Sequence, residues 1–473
     1  MVVMNELLLK AIVEFINRSE GRLIGGEFPP FVAGVATDTR EIKRGDIFVA
    51  LRGEHFDGHD FISEAIAKGA SALFVEDRRV KAIEEDWFVG KIKIPVMSVR
   101  ESLYALGELA KIYRGFFKTR VTALTGSTGK TTTREIVAAI LRELGETLSP
   151  KANFNNLIGV PLTLFNLNVA HKFAVIEMGM NMGGEIQRLT EIVQPEAGLI
   201  TNVMPVHLEG LGTIENIARA KGELFETIPK SAVPVVNLDD PRIATMKALR
   251  RFRKKVTFGR GKSADVRLVS YRLTPDLRQA VKLSIRGETI SAKMRLLGRH
   301  NARNAAAAVA LALAAGANLD AMKKGLESVA PFAHRLEIKR AGGITLLDDC
   351  YNSNPEAVKE SLSVLCSLAP PEKRIAVLGE MRELGEESRR LHFEIGRFAA
   401  KSKLAALFCF GDREANEMFA GAERVGGGIV LGLGGDVERA VEFIRGNQSS
   451  GAVVLIKGSR ALKLERIVGR LEE

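Results

Sequence analysis

Apolar runs and amphipathic stretches alternate along the chain, and this alternation predicts strands followed by helices. In the N-terminal part, residues 47–51 and 72–75 are apolar runs of strand length. Residues 53–58 form a polar loop after the first run, and residues 61–69 have a helical pattern. We therefore expect residues 1–98 to form a small α/β domain.

The middle of the chain continues this alternation over a longer stretch. Apolar runs of strand length occur at residues 121–125, 173–179, 198–203 and 233–238, with helical patterns between them. Regular strand–helix alternation predicts a mainly parallel sheet with helices on both faces. Residues 265–296 change to alternating strands, which predicts an antiparallel extension of the sheet. We expect this central domain to span residues 99–330.

A second strand–helix alternation begins near residue 331. Its predicted strands are residues 344–347, 375–378, 405–410 and 453–456. Such a pattern is typical of a doubly wound, Rossmann-like domain. The predicted fold class is thus α/β in three domains, with residues 331–473 forming the third.

Composition narrows the class of protein without identifying it. A chain of 473 residues exceeds a single ordinary core, and 46% hydrophobic with 26% charged residues is typical of a globular protein. No apolar run reaches the roughly 18–20 residues that span a bilayer, so we expect no stable membrane insertion. Three cysteines without metal-ligand spacing fit a reducing cytoplasm, which is the predicted location.

The formal net charge of +11 indicates acidic partners, either small nucleotides or nucleic acid. No basic run or arm stands out, and aromatic residues make up only 6%, so stacking platforms for nucleic acid are not expected. A nucleic-acid-binding NTPase remains the alternative from another functional class. A charged and soluble surface without a polyanionic partner explains the net charge at least as well.

The predicted strand at 121–125 leads into a Gly/Ser/Thr loop, and a helical pattern starts directly after it. A helix N-terminus carries roughly half a positive charge, and glycines let the backbone approach an anion closely. Lys130 would supply a full charge to the outer phosphates, and the Thr131 hydroxyl is suited to Mg²⁺. A strict phosphate loop has glycine at the position of Leu124, so this loop is a variant. The predicted phosphate-binding residues are Gly126, Ser127, Thr128, Gly129, Lys130, Thr131 and Thr132.

Several polar residues of the middle part are candidates for ligand binding. Glu177 ends a buried-type strand, and it can hold Mg²⁺ if that strand lies beside the phosphate-loop strand. Asn153 and Asn156 belong to an Asn-rich loop that either lines a polar substrate or simply makes turns. His207 follows a strand, where a lone histidine is more often structural than a ligand. Lys221, on a helical pattern, is by default a solvated surface lysine.

Asparagines and polar clusters further along add to this set. Asn301 and Asn304 are three residues apart on one helix face, where they either read a purine edge or cap the helix. Polar clusters at 348–355, 379–381 and 457–460 each follow a predicted strand of the third domain. Because the carboxyl ends of parallel strands meet at one edge, we expect all three clusters at the ligand edge of the sheet.

The first domain contains two short polar motifs. Thr39 and Arg40 follow each other in one loop, and Asp57 and His59 lie in another. Hydroxyl groups and an arginine suit phosphate or uridine binding. Each motif alone is weak evidence, since these residue types also cap turns and helices.

Taken together, the motifs resemble those of the Mur ligases, the ATP-dependent amide ligases of peptidoglycan precursor synthesis. The family motifs are 125–131, 177–179, His207, 220–223 and 300–304. Three further motifs, at 349–355, 378–385 and 457–460, resemble the subfamily that adds D-alanyl-D-alanine to UDP-N-acetylmuramoyl-tripeptide. The resemblance covers nearly the whole chain.

The resemblance implies roles for the matching residues. ATP would be bound by the phosphate loop and by Asn301 and Asn304 at adenine, with Arg335 and Asp349 reaching the nucleotide from the third domain. The implied Mg²⁺ ligands are Thr131, Glu177, His207 and Lys221, and Lys221 matches a lysine that is carbamylated in relatives. The implied catalytic residues are Lys130, Glu177, His207 and Lys221. The implied substrate-binding residues are Thr39, Arg40, Asp57 and His59 for the UDP end, and Asn153, Asn156, Asn352, Asn354 and Arg460 elsewhere.

Two sequence features bear on the choice among related ligases. Glu380 stands where the subfamily usually has aspartate, which puts a precise ligand role of that carboxylate in doubt. The chain lacks Asp-Asn-Pro-Arg, which the sibling ligase that adds a diamino acid often has, and this favours the dipeptide-adding enzyme. A folylpolyglutamate-type ligase is disfavoured by the long first domain and its motifs. A monomer is expected, and the sequence leaves open whether lysine or diaminopimelate is third in the tripeptide.

Overall fold

Three β-sheets follow one another along the chain, each packed with helices, in a computed structural model. It describes residues 2–18, 20–28, 32–88, 92–150, 154–205, 211–449 and 451–473. The sheets have five, nine and six strands, which confirms the predicted three-domain α/β class. Among the described helices, none has both the length and the apolar character needed to cross a membrane.

The first sheet has the strand order β1-β5-β4-β3-β2. Its strands are β1 Arg22–Gly25, β2 Val35–Ala36, β3 Ile47–Val49, β4 Ala72–Glu76 and β5 Val96–Val99. Its helices are α1 Val2–Asn17, α2 Ile62–Ala67 and α3 Val80–Phe88, with 3₁₀ turns at Thr39–Glu41, Gly58–Phe61 and Asp77–Arg79. β3, α2 and β4 confirm the predicted elements. The short strands β1, β2 and β5 were not predicted, because a run of two to four residues gives little periodic signal.

The middle sheet has the order β14-β13-β12-β11-β10-β9-β6-β8-β7. Its strands are β6 Arg120–Thr125, β7 Thr147–Leu148, β8 Phe173–Glu177, β9 Ala197–Ile200, β10 Val233–Asn237, β11 Val256–Gly259, β12 Val266–Leu273, β13 Gln279–Ile285 and β14 Glu288–Met294. β6 to β12 pair in parallel, and β12 to β14 pair antiparallel. This confirms the predicted parallel sheet with an antiparallel extension.

Helices cover both faces of the middle sheet, as the strand–helix alternation predicts. They are α4 Ser102–Gly115, α5 Lys130–Arg142, α6 Gly159–Leu164, α7 Glu185–Val193, α8 Ile214–Thr227, α9 Pro241–Ala244, α10 Arg299–Ala314 and α11 Leu319–Ser328, with a 3₁₀ turn at Lys247–Arg251. α5, α10 and α11 share one apolar core with the sheet, and α4, α6, α7 and α8 share the other. Alanines along α10 let this helix lie close to the strands. α4 also packs on α1, so it joins the first and middle sheets.

The third sheet has the order β15-β16-β20-β17-β18-β19. Its strands are β15 Glu337–Ala341, β16 Ile344–Asp349, β17 Arg374–Gly379, β18 Ala406–Phe410, β19 Val430–Gly434 and β20 Val453–Lys457. Its helices are α12 Pro355–Leu368, α13 Ser388–Lys401, α14 Arg413–Glu423, α15 Val437–Asn447 and α16 Glu465–Glu472, with 3₁₀ turns at Pro371–Lys373, Gly385–Glu387 and Arg460–Leu462. Apolar cores on both faces confirm the doubly wound architecture. The edge strands β15 and β19 were missed, because both are short of buried apolar residues.

A basic run lies between α9 and β11, so the expectation that no basic run stands out was wrong. Residues 247–255 contain Lys247, Arg250, Arg251, Arg253, Lys254 and Lys255. All of these except Arg251 are exposed, and Arg251 donates to the carbonyl groups of Glu226 and Ile228 at the end of α8. The one aromatic residue of the run, Phe252, is buried, so the run offers no stacking surface.

The contact between α13 and α14 depends on two glycines that let the helix backbones touch. A Cβ atom on Gly396 would clash with the carbonyl oxygen of Met418, and one on Gly421 would clash with that of Phe393. In both cases the neighbouring atom belongs to a backbone, which cannot move aside as a flexible side chain can.

We expect Gly421→Ala to lower the thermal unfolding midpoint of the protein, because overpacking a closed contact costs roughly 1–3 kcal/mol. Gly446→Ala is the matched control, since Gly446 also lies in a helix but has open space around its Cβ position. Alanine there should leave stability unchanged or raise it by about 0.5–1 kcal/mol. Equal midpoints for the two variants in calorimetry would contradict the close contact.

Candidate functional site

A cavity of about 830 Å³ lies between the middle and third sheets. Its walls are built by residues at the carboxyl ends of the middle strands, by the first turn of α10 and by the carboxyl ends of β16 and β20. Ligands of doubly wound sheets bind at this strand edge. The cavity therefore joins the ligand edges of two sheets.

The loop between β6 and α5 forms the floor of the cavity. Gly129, the N-cap of α5, has φ of 76°, a left-handed conformation that favours glycine. A Cβ atom on Gly126 would clash with the Thr201 hydroxyl, and one on Gly129 would clash with the Asn304 side chain. Both glycines are thus required by close packing as well as by backbone conformation.

The phosphate loop is held by the segment that follows β9, which the sequence analysis did not identify. The Asn202 Oδ1 atom accepts a hydrogen bond from the Thr128 backbone N–H at 3.0 Å, and the Thr201 hydroxyl donates to the Thr128 carbonyl at 2.8 Å. The Ser127 hydroxyl bonds both the carbonyl and the N–H of Met204. The loop conformation is therefore fixed by its neighbours.

Lys130 begins α5, and its ammonium lies over the phosphate loop. It donates to the Gly126 carbonyl at 2.8 Å. Burial lowers the pKa of Lys130, the charge of Glu177 opposes this effect, and the charge of Arg335 adds to it. Lys130 is thus a cation in an environment that favours a bound anion.

Glu177 is buried at the end of β8. β8 pairs directly with β6, the strand that leads into the phosphate loop, and this neighbourhood was the condition for Glu177 to hold Mg²⁺. Leu124 lies opposite Glu177 in the register. The Thr131 hydroxyl and the Asn155 amide donate to Glu177 Oε1 at 3.3 and 3.0 Å, and Arg134 Nη1 lies 3.3 Å from Oε2. Asn155 and Arg134 were not among the predicted site residues.

Lys221 is buried on α8 and lines the cavity, so it is not the solvated surface lysine of the default interpretation. Burial lowers its pKa well below the ordinary value, and the nearby charge of Lys130 lowers it further. Within the described residues, no hydrogen bond or ion pair involves its amine. Two other predicted site residues, His207 and Asn153, lie outside the described part of the chain.

Asn301 and Asn304 are buried side by side in the first turns of α10. Asn301 donates to the Leu297 carbonyl at 2.8 Å, and Asn304 donates to the Asn301 side chain at 3.1 Å. Both amides line the cavity next to the phosphate loop. This arrangement agrees with the prediction that they share one helix face.

The third domain contributes a charged wall around Asp349. The ammonium of Lys457 lies 2.8 Å from Asp349 Oδ2 and donates to the Asn352 carbonyl at 2.9 Å. The Ser361 hydroxyl donates to the same carboxylate at 2.6 Å, and the Arg335 guanidinium stacks over the Tyr351 ring at 4.1 Å. Lys457 lay inside a predicted polar cluster but was not chosen as a site residue.

Two predicted asparagines line the cavity and also accept backbone hydrogen bonds at the starts of helices. Asn156 accepts hydrogen bonds from the backbone of Ile158 and Gly159 at the start of α6. Asn354 accepts one from Ala357 at the start of α12. For Asn156, both interpretations hold at once: it makes a turn, and it lines the cavity.

Arg460 and Glu380 are not among the residues that line the cavity. Arg460 is largely exposed and pairs with Glu465 at 3.0 Å. Glu380 is buried and accepts a hydrogen bond from the Asp412 backbone at 2.6 Å, just before α14, and its second oxygen lies 3.5 Å from Arg382. Its carboxylate therefore fixes the start of α14.

The residues of the two first-domain motifs are not among those that line the cavity. Arg40 pairs with Asp38 at 2.5 Å and is exposed, whereas Thr39 is buried. His59 donates from Nδ1 to Asp57, and its Nε2 atom accepts from the Glu76 backbone at 2.9 Å, so its ring is fully hydrogen-bonded. Burial alone would raise the pKa of Asp57, but hydrogen bonds from Arg79 and His59 lower it well below the usual range. Asp57 and His59 thus stabilise their loop.

Comparison with known proteins agrees with this arrangement. The family models described as "Mur ligase family, catalytic domain", "Mur ligase middle domain" and "Mur ligase, glutamate ligase domain" match residues 31–114, 124–312 and 334–460. The UDP-N-acetylmuramoyl-tripeptide--D-alanyl-D-alanine ligase of Haemophilus influenzae is 35% identical over 468 residues, covering 98% of each chain.

Solved structures give the same result. A crystal structure of MurF from Acinetobacter baumannii superposes with a TM-score of 0.87 at 30% identity, covering 99% of this chain and 98% of that one. MurF ligase from Thermotoga maritima in complex with ADP superposes with a TM-score of 0.80 at 29% identity, covering 93% and 97%. With its three sheets, its phosphate loop and its shared cavity, the chain belongs to the Mur ligase family.

Proposed function

We propose that this protein is an ATP-dependent ligase that joins D-alanyl-D-alanine to UDP-N-acetylmuramoyl-tripeptide in peptidoglycan precursor synthesis. The observation that carries the proposal is the shared cavity, with a phosphate loop on one wall and charged side chains of another sheet on the other. A ligase that activates one substrate and then joins a second needs such a site between domains. Full-length relatives at more than 30% identity carry this activity in their names.

The nucleotide is the substrate whose site has the most support. Gly126 to Thr132 would hold the phosphates, and Asn301 and Asn304 would contact adenine. Arg335 and Asp349 would reach the nucleotide from the third domain, since both line the same cavity as Lys130. The relative from Thermotoga maritima was solved with ADP, which supports a nucleotide in this fold.

The residues present fit Mg²⁺ as well. The Thr131 hydroxyl and the Glu177 carboxylate face the same cavity 3.3 Å apart, and hard oxygen ligands are those that Mg²⁺ prefers. A bound Mg²⁺ would neutralise phosphate charge. We propose His207 as a further ligand. Lys221 fits as a ligand only after carbamylation. Its amine is buried and has no partner among the residues that the structure describes, which suits that reaction, because a neutral amine attacks CO₂.

The remaining substrate groups would be divided between the outer domains. Thr39, Arg40, Asp57 and His59 in residues 1–98 would hold the UDP end. Asn153 and Asn156 in residues 99–330, and Asn352, Asn354 and Arg460 in residues 331–473, would contact the peptide and the incoming amine. We further propose that the enzyme is a cytoplasmic monomer.

The chemistry follows from the weakness of a carboxylate as an acyl donor. Its leaving group would be oxide, so the terminal carboxylate first attacks the γ-phosphate of ATP, which gives an acyl phosphate and ADP. Lys130 and Arg335 neutralise charge on the transferred phosphoryl group. The amine of D-alanyl-D-alanine then attacks the acyl carbon, and phosphate leaves. Closure of the third domain on the middle domain would exclude water, which otherwise hydrolyses the acyl phosphate.

The alternatives have less support. The sibling ligase that adds a diamino acid shares the fold, so only its substrates distinguish it. A nucleic-acid-binding NTPase would need a binding surface, and the one basic run has no exposed aromatic residue. A folylpolyglutamate-type ligase has no need for a first domain that binds a UDP-sugar.

The activity itself is tested by ADP release from the purified protein. We expect release to require Mg²⁺, the UDP-linked tripeptide and D-alanyl-D-alanine together, with a product mass equal to the joined pentapeptide. Running the assay with lysine-containing and diaminopimelate-containing tripeptides will identify the third residue. Full activity with a free diamino acid and the UDP-dipeptide would instead establish the sibling activity.

We expect Lys130→Ala to lower kcat by about 10²-fold or more, because loss of a charge that stabilises a transferring phosphoryl group typically has this effect. The fold should survive, as measured by thermal unfolding. Lys118→Ala is the matched control, since Lys118 is exposed near the start of β6 and lies outside the cavity. A wild-type rate for Lys130→Ala would remove the phosphate loop from the mechanism.

Carbamylation of Lys221 is tested with ¹³C-bicarbonate. We expect a carbamate resonance in the ¹³C spectrum that persists at a pH where exposed lysines are fully protonated, because a lowered pKa gives Lys221 a larger fraction of neutral amine than exposed lysines have. Lys221→Gln should lose both the resonance and the activity. Lys230→Gln, at an exposed lysine, should keep both. A spectrum without a carbamate in fully active enzyme would refute the modification.

A further inference from the structure

Residues 334–336 form a strained turn at the junction of the middle and third domains. His334 and Leu336 have φ values of 61° and 51°, the left-handed region that residues with a Cβ rarely adopt. Arg335 lies between them and lines the cavity. Because the turn is strained, its surroundings must hold it in place.

Two successive aspartates at the end of β16 hold this turn from different sides. Asp348 is fully buried, and its Oδ2 atom lies 2.8 Å from His334 Nδ1. Asp349 Oδ1 accepts a hydrogen bond from the Leu336 backbone at 3.2 Å. Side chains of consecutive strand residues point to opposite faces, so the aspartates reach the turn by different routes. Tyr351 completes the attachment, since its backbone donates to the His334 carbonyl at 3.0 Å.

His334, Glu337 and Asp348 lie together and are residue types that bind metals. However, the side chain of Lys339 already places a positive charge beside their carboxylates. The Lys339 ammonium lies 3.2 Å from Asp348 Oδ2 and 4.0 Å from Glu337. An ammonium at this distance satisfies the buried carboxylate. We therefore interpret this cluster as a support for the turn and not as a metal site.

We propose that His334 is a positioning residue: held by Asp348, it fixes the turn that places the Arg335 guanidinium in the cavity. This inference rests on the proposed ligase function. Two further contacts hold Arg335: its guanidinium is stacked on the Tyr351 ring, and its backbone N–H donates to the Phe332 carbonyl. Without the imidazole, the turn relaxes from its left-handed conformation and the guanidinium leaves the phosphate region.

A double-mutant cycle tests the proposal through ADP release. His334→Gly removes the imidazole but tolerates positive φ, so it separates the lost hydrogen bond from backbone strain. His334→Asn keeps a donor for Asp348 and also tolerates positive φ. We expect His334→Gly to lower kcat about tenfold and His334→Asn to stay within about threefold of wild type. Arg335→Ala should lower kcat about 10²-fold.

The decisive result is the effect of His334→Gly in the Arg335→Ala background, which we expect to be less than about twofold. His171→Ala, at a turn before β8, serves as the control and should have the same small effect in both backgrounds. An equal loss from His334→Gly with and without Arg335, or no loss at all, would overturn the proposal.

The same cycle measured as Mg-ATP affinity by calorimetry does not need the UDP-peptide substrate. If wild-type protein fails to turn over UDP-tripeptide, the ligase proposal fails, while coupling between His334 and Arg335 in ATP binding remains measurable. If turnover is normal and the coupling is absent in both assays, only the positioning role fails.

Discussion

The parallel pairing of β6 with β8 on one side and β9 on the other is the constraint on which the site depends. It brings three strand ends to one edge, so the phosphate loop, Glu177 and the Thr201–Asn202 segment become neighbours. The glycines of the loop allow many backbone conformations, and its hydrogen bonds to Thr201 and Asn202, directly after β9, select one of them. The pairing of strands therefore shapes the anion site before any ligand arrives.

The cavity is rich in buried or half-buried cations, and this charge balance defines the kind of ligand it accepts. Lys130 has a lowered pKa, and the charge of Arg335 nearby contributes to this lowering. Each oxygen of Glu177 and Asp349 already contacts a hydrogen-bond donor or a cation of the protein, so these carboxylates are shared among several groups. A polyanion would relieve the repulsion, which explains why a nucleotide with its phosphates suits the cavity better than a neutral substrate.

The sequence predicts what local patterns encode and misses what distant contacts decide. β6, β8 and the phosphate loop were predicted because an apolar run, a glycine-rich turn and a helical pattern follow each other directly. Asn202 was missed because its role comes from contact with Thr128, 74 residues away, and nothing in its own neighbourhood signals this. Lys221 shows the same limit: a lysine on a helical pattern is by default a solvated surface residue, and only the resemblance to relatives implied a role as a metal ligand. The basic run at 247–255, by contrast, was visible in the sequence and was overlooked.

The junction between the middle and third domains links nucleotide binding to domain position. Leu297 packs in the apolar core of the third domain, and the next turn of chain carries Arg299, His300 and Asn301. Arg299 pairs with Glu360 on α12, and His300 lies 3.7 Å from the same carboxylate. Burial alone would raise the pKa of Glu360, but His300 and Arg299 lower it to about 2, so the carboxylate stays charged. A rotation of the third domain that moves α12 away from α10 separates the Glu360 carboxylate from Arg299 and His300. An unpaired buried carboxylate is strongly destabilising, so such a rotation requires that water reach Glu360. Since Asn301 lies two residues from Arg299, such a rotation also disturbs the proposed adenine contact.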